Sequence, residues 1–177
     1  LCVQILLGGW TSTHYAAMGC IEFPTCYGGR WWPETDFAEG FALWRPIGPD
    51  YELGRLDSAA RTAIHLAHRI GALAVLLYLG ALAWRVARLG ADTGERRLGW
   101  LLLAVLGAQV GLGITNVVAH LPLAVAVAHT GGAAVLLVTL LSLVHRLYPG
   151  SVSPTPAAGR GRQDTGPEGT PHMETSK

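Results

Sequence analysis

Charge is scarce in this chain: of 177 residues only 14% are charged, while 50% are hydrophobic. Soluble domains carry roughly a quarter charged residues, so the composition excludes an ordinary soluble domain. The net charge of +1 gives no basic surface of the kind that binds nucleic acid. Cysteine is scarce as well. Three residues are too few for a disulfide scaffold, and since Cys2 lies in an apolar run while Cys20 and Cys26 lie in a polar one, only the latter two are candidates for a pair. An initiating methionine, a basic leader and a small-residue cleavage site are missing too. The chain starts at Leu1 inside an apolar run and reads as a piece of a longer protein.

What is present is long apolar segments, and the expected fold is an all-α membrane protein: a four-helix transmembrane bundle with a truncated first helix, a long outer loop and a disordered C-terminal tail. Residues 1–146 form the expected transmembrane half-domain and residues 147–177 the expected tail. Leu1 to about Gly9 reads as the end of a first helix, with Trp10 and Tyr15 suited to a membrane interface. From Cys20 to Asp57 the prolines Pro24, Pro33, Pro46 and Pro49 forbid a spanning helix. Within this loop Phe37, Phe41 and Trp44 are spaced for one face of a short surface helix over 34–44.

Asp57-Ser58 is suited to cap a helix, and 59–86 is long enough to cross a hydrocarbon layer of roughly 30 Å. Further spans are expected over 98–119 and 123–143, the last opened by Pro122. Arg85, Arg88, Arg96 and Arg97 surround one connection. The long loop instead carries Glu22, Glu34, Asp36, Glu39, Asp50, Glu52 and Asp57. By the positive-inside rule the arginine end is cytoplasmic and the long loop lies outside. After Tyr148 the Pro, Gly, Ser and Thr content is that of a segment with too little apolar area to fold.

Histidines inside such spans need a reason. His68 lies about nine residues into its span and His129 about seven into its own, so both are on the order of 10 to 14 Å below the outer surface. Two imidazoles at one depth on different helices can take the opposite faces of one haem iron. Small residues follow each (Gly71 and Ala72; Gly131, Gly132 and Ala133), which leaves room for a flat macrocycle and equally suits close helix packing. Arg69 is placed either to meet a haem propionate or to pair with a loop carboxylate. His65, on nearly the same face as His68, is open to three readings: ligand in its place, hydrogen-bond partner behind it, or polar contact near the helix end. Gln109 and Asn116 share a face and read as interhelical hydrogen-bonding residues, with Gly107 and Gly111 as a close-packing pair. His14 and His120 belong to the outer boundary, His145 to the inner flank and His172 to the tail. Cys20 and Cys26 are open to a reducible disulfide or two free thiols.

Several of these stretches together resemble a known family: Gly8-Gly9-Trp10-Thr11-Ser12-Thr13, Phe23-Pro24-Thr25-Cys26, Trp31-Trp32-Pro33 with Asp36-Phe37, His68-Arg69, the run from Gly113 to Val118, and Ala128-His129. In this order they resemble the carboxy-terminal half of the haem A synthases of proteobacterial type, over residues 1 to 146. The resemblance implies an eight-helix protein of the bacterial inner membrane, built of two similar four-helix halves. It implies oxidation of the haem O methyl group to the formyl group of haem A for cytochrome oxidase assembly. The half resembled holds haem b, with His68 and His129 as the implied axial ligands. Where the family's substrate half has a glutamate, this chain has His65, which marks the cofactor half and implies that this stretch lacks the catalytic carboxylate. The family commonly has asparagine where His14 stands. Cys20 and Cys26 match its outer-loop cysteine pair, which implies a disulfide. Implied partners are haem O held by the other half, membrane lipids, haem O synthase and an electron donor. Two other readings of the residues stand beside this one, a bis-histidine electron-transfer cytochrome b and a non-catalytic membrane assembly module.

Overall fold

The computed structural model describes residues 1–44 and 56–148. Its elements in chain order are α1 (Cys2–Thr13), α2 (Phe37–Gly40), α3 (Ser58–Leu89), α4 (Thr93–Val118) and α5 (Leu123–Leu147). Among the described residues there is no strand, only an isolated bridge between Tyr27 and Arg30. The helices α3, α4 and α5 are each long and apolar enough to cross a membrane, and the chain is an all-α membrane protein. In the 12 residues of α1 there is length for about 18 Å, too little to span. Neighbours pack in sequence: α1 on α3, α3 on α4, α4 on α5, with the small α2 seated on α3.

Local chemistry sets the helix ends. The Asp57 side chain accepts the N–H of Ala60 at 2.7 Å, as expected of an N-cap. Asp92 caps α4 through the N–H of Glu95 at 2.8 Å, and Glu95 returns a bond to the N–H of Ala91, a reciprocal box that starts the helix five residues before the expected 98. In α1 the helix continues past Gly8 and Gly9. Thr11 and Thr13 bond back to the carbonyls of Leu7 and Gly9 and so belong to the last turn.

The expected surface helix over 34–44 is a single turn, Phe37–Gly40. Its N-cap is Asp36, and the carbonyl of Gly40 is taken by Trp10 Nε1 at 3.0 Å, a side-chain bond where a longer helix would bond its own backbone. Gly40 also lies so close to α3 that a Cβ would stand 3.0 Å from the Ala60 carbonyl. Phe37 and Phe41 do share a face, stacked at 6.4 Å, with Phe41 on Trp10 at 6.3 Å. Trp44 does not join them and is 93% exposed. The rest of the expected outer loop, 45–55, and the expected tail from 149 onward lie outside the described residues.

Two packed layers divide the bundle. Toward the arginine end Leu79, Ala83, Leu102, Leu106, Leu136 and Leu143 form a buried cluster. At the loop end Ala16, Leu56, Ala60 and Ile64 form a smaller one, covered by Trp10 and Phe41. The arginine end is tied by Arg146 to Asp92 at 3.1 Å and by Arg88 lying over Trp84 and Trp100. Between helices the flanks stay apolar and open: Leu73, Leu77, Val127, Val138 and Leu141 are exposed, as a lipid-facing surface requires.

Candidate functional site

The layer between the two clusters is built differently. No residue is buried on α3 from Ala67 to Tyr78, on α4 from Gly107 to Thr115, or on α5 from Leu123 to Val135. His68 and His129 lie in this layer, each against a glycine of the neighbouring helix. A Cβ on Gly8 would stand 3.3 Å from His68 Cε1, and one on Gly113 would stand 3.2 Å from His129 Cε1.

A glutamine grips each histidine. Gln4 of α1 donates to the His68 carbonyl at 3.0 Å and has the same nitrogen 3.1 Å from His68 Nδ1. Gln109 of α4 donates to the His129 carbonyl at 2.9 Å. Each glutamine oxygen sits over a glycine three residues past the histidine, where a Cβ would collide with it: Gly71 beneath Gln4 and Gly132 beneath Gln109. The α1–α3 pair and the α4–α5 pair therefore repeat one arrangement, Gln-x3-Gly facing His-x2-Gly.

Beside this layer, one stripe of α3 holds the loop that follows α1. Thr62, His65 and Arg69, spaced by three and four, fall on one helix face. Thr62 donates to the Gly19 carbonyl at 3.0 Å. The N–H of Cys20 donates to His65 Nδ1 at 3.1 Å. Arg69 donates to the carbonyls of Thr25 at 2.9 Å, Cys20 at 3.2 Å and Glu22 at 2.8 Å. Its Nε also lies 3.3 Å from His65 Nε2. A neutral imidazole has one acceptor nitrogen, so we assign that role to Nδ1 with the shorter bond and treat the Arg69 approach as close packing. Cys20 and Cys26 close the loop as a disulfide. Inside it, Glu22 accepts from the N–H groups of Gly28 and Gly29 and from Thr25. Those bonds, the one from Gly29 foremost, hold its carboxyl below the usual value of 4.5.

Comparison with known proteins adds a family. Residues 1–141 match the model of the cytochrome oxidase assembly protein family (COX15-CtaA). The chain belongs to this family. It is 46% identical over 150 residues to a protein of Shewanella oneidensis named "Heme A synthase", covering 85% of this chain and 44% of that one. It is 37% identical over 97 residues to a "Heme A synthase" of Rhodospirillum centenum, covering 55% of this chain and 25% of that one. The chain thus spans less than half the length of the curated relatives it matches. No solved structure matches it.

Within this member of the haem A synthase family, the structure brings His68 and His129 into one layer and turns Arg69 and His65 to the loop instead. Among the described residues the contacts of Arg69 are the carbonyls of Thr25, Cys20 and Glu22. His65 has its ring nitrogens facing the Cys20 N–H and the Arg69 guanidinium. Gln109 does bridge helices as expected. Asn116 is buried, with its Oδ1 unpartnered. Gly107 and Gly111 do not form the expected packing pair, since a Cβ on either would meet nothing within 4 Å. His14 stacks on Trp10 at 4.1 Å, His120 is exposed in the turn between α4 and α5 and His145 at the end of α5, and His172 lies outside the described residues. Two residues escaped the sequence reading, Gln4 and Thr62. Gln4 had a signal: the spacing Gln-x3-Gly occurs at Gln4 and Gly8 and again at Gln109 and Gly113.

Proposed function

We propose that this chain is the haem b-holding half of a haem A synthase, which oxidises the haem O methyl group to the formyl group of haem A for cytochrome oxidase assembly. The observation that carries the reading is the layer of the two Gln–His pairs, with glycines at the helix contacts and no fully buried residue within 67–78, 107–115 and 123–135 of the three long helices. Among the described residues no group of three or more His, Cys, Asp or Glu is placed to hold a bare metal ion. Two imidazoles are too few for one and are the number that a porphyrin-held iron needs from the protein. The residues present therefore fit a haem.

His68 and His129 would hold it, each through a neutral ring nitrogen. Bound there, haem supplies an iron centre that exchanges one electron. Thr62, His65 and Arg69 keep the disulfide loop docked over the outer end of α3, where it limits access of water to the layer. Haem O would bind to the part of the protein outside this chain, with haem O synthase as its source and a separate electron donor. The arginine end faces the cytoplasm and the disulfide loop faces the outer side of the bacterial inner membrane, following the positive-inside rule.

Membranes containing this chain should show a b-type optical spectrum that is lost in His68→Ala and in His129→Ala. Retention of the spectrum in both variants overturns the reading. A second reading, a plain bis-histidine electron carrier, is favoured by one observation: α3 and α5 carry no carboxylate, and the only one on α4 is Glu95 in its first turn. The same substitutions in the full-length protein separate the two. Cells that depend on it lose haem A under the first reading and keep it under the second.

A further inference from the structure

Among the described residues four buried side-chain polar atoms lack a hydrogen-bond partner, and three of them belong to the two Gln–His pairs: Gln4 Oε1, Gln109 Oε1 and His129 Nδ1. Buried polar atoms are seldom left so. Three in one layer ask what state of the layer would satisfy them.

An imidazole that binds iron through Nε2 keeps its proton on Nδ1, and that N–H needs an acceptor to fix the ring. The first pair has the opposite arrangement. Gln4 Nε2 faces both His68 Nδ1 and the His68 carbonyl, so its two amide protons serve both atoms only when Nδ1 is bare and the proton sits on Nε2. Turning the amide over about its last torsion exchanges Oε1 for Nε2 and sets an acceptor at Nδ1, and it gives up the bond that Nε2 now donates to the His68 carbonyl, so the haem-bound state exchanges that brace for a hold on the ring. In the second pair Gln109 Oε1 and His129 Nδ1 are both without partners, while Gln109 Nε2 donates to the His129 carbonyl. In both pairs a glycine, Gly71 or Gly132, lies directly under the amide oxygen, and there is no side chain there to hinder the turn.

We propose that Gln4 and Gln109 are positioning residues for the two haem ligands: in the haem-bound protein each amide oxygen accepts the Nδ1–H of its histidine, which directs Nε2 to the iron. This rests on the reading that His68 and His129 hold a haem. It goes beyond that reading by giving the pair of glutamines a direct influence on the iron through the basicity of each ligand. The competing role is mechanical, an amide N–H that braces one helix against the carbonyl of the next.

The test is a redox titration of the b-type spectrum in the haem-loaded chain, with low-temperature electron paramagnetic resonance as a second readout. The variants are Gln4→Glu, Gln109→Glu, Gln4→Leu and Gln109→Leu. Glutamate is a stronger acceptor of nearly the same shape and should shift the midpoint to lower potential. Leucine removes the acceptor and should shift it upward, with a changed ligand-field signal. Haem kept in the glutamate variants and lost in the leucine variants also supports the proposal. An unshifted midpoint in all four, or equal loss of haem from glutamate and leucine variants, overturns it and leaves the helix brace. If the unmodified chain shows no b-type spectrum, the haem reading itself falls and the proposal with it.

Discussion

His65 accepts the backbone N–H of Cys20 at 3.1 Å across 45 positions of sequence, and this bond sets the disulfide loop in register with α3. Thr62 before it and Arg69 after it hold Gly19 and three further loop carbonyls. His68, on the adjacent face of the same helix, lies in the layer of the two Gln–His pairs. One helix thus carries the loop on one face and the candidate iron ligand on the next.

Arg69 should be the least replaceable member of that stripe. Its guanidinium reaches three carbonyls from one planar group, and lysine offers a compact ammonium without that fork. Arg69→Ala leaves those carbonyls without their donor, at a cost of about 2 to 4 kcal/mol. Arg69→Lys should recover less than half of it. Thermal unfolding in detergent, with limited proteolysis between Cys20 and Cys26, reads both effects.

The Cys20–Cys26 disulfide encloses a short loop, for which the chain-entropy account gives about 2 kcal/mol. Because the loop is also pinned by His65 and Arg69, Cys20→Ser should lower stability without releasing the loop from α3. A double variant, Cys20→Ser with Arg69→Ala, should lose more than the sum of the two singles. Strict additivity in the unfolding measurement would show that the disulfide and the arginine act independently.

Much of this arrangement was legible in the residues. The three long helices follow from apolar run length, which in a membrane is nearly decisive because unpaired backbone groups cannot face lipid. Contacts set by tertiary approach were not legible. The spacing of Phe37, Phe41 and Trp44 suits a longer helix, but Trp10 and α3 claim Gly40 and stop it after one turn. Gly107 and Gly111 have the spacing of a packing pair, yet the face of α4 that meets α5 is the one carrying Gln109 and Gly113. The contacts of Arg69 with the carbonyls of Thr25, Cys20 and Glu22 were not legible either, because the backbone of a tight loop leaves no mark in composition.

Glu22 gives the loop an acid-sensitive element. Its folded pKa lies below 4.5 because Gly29, then Thr25 and Gly28, donate to the carboxylate. A carboxyl with a depressed folded pKa stabilises the fold above its unfolded value and loses that effect as pH falls through the folded one. Loop protection should therefore be flat from neutral pH down to the unfolded value near 4.5 and fall below it. In Glu22→Gln the step should be absent, and the two proteins should converge in acid. Hydrogen exchange at the amides of Gly28 and Gly29 across that range measures it, and a step of equal size in both proteins would assign the acid sensitivity elsewhere.

The glycines supply the sharpest separation between the haem layer and ordinary helix packing. A methyl group at Gly113 would stand 3.2 Å from His129 Cε1, and one at Gly8 3.3 Å from His68 Cε1, while one at Gly107 would meet nothing within 4 Å. Contacts that short oblige the ring to move by a few tenths of an ångström, and ligand geometry tolerates little displacement. Gly113→Ala and Gly8→Ala should each lower haem occupancy several-fold, read as the b-type absorbance per protein. Gly107→Ala should leave occupancy unchanged and, by removing backbone freedom from the unfolded chain, raise stability by up to about 1 kcal/mol. If all three variants load haem like the parent chain, the imidazoles do not need the positions that Gly8 and Gly113 give them, and the layer would have to bind its ligand by another route.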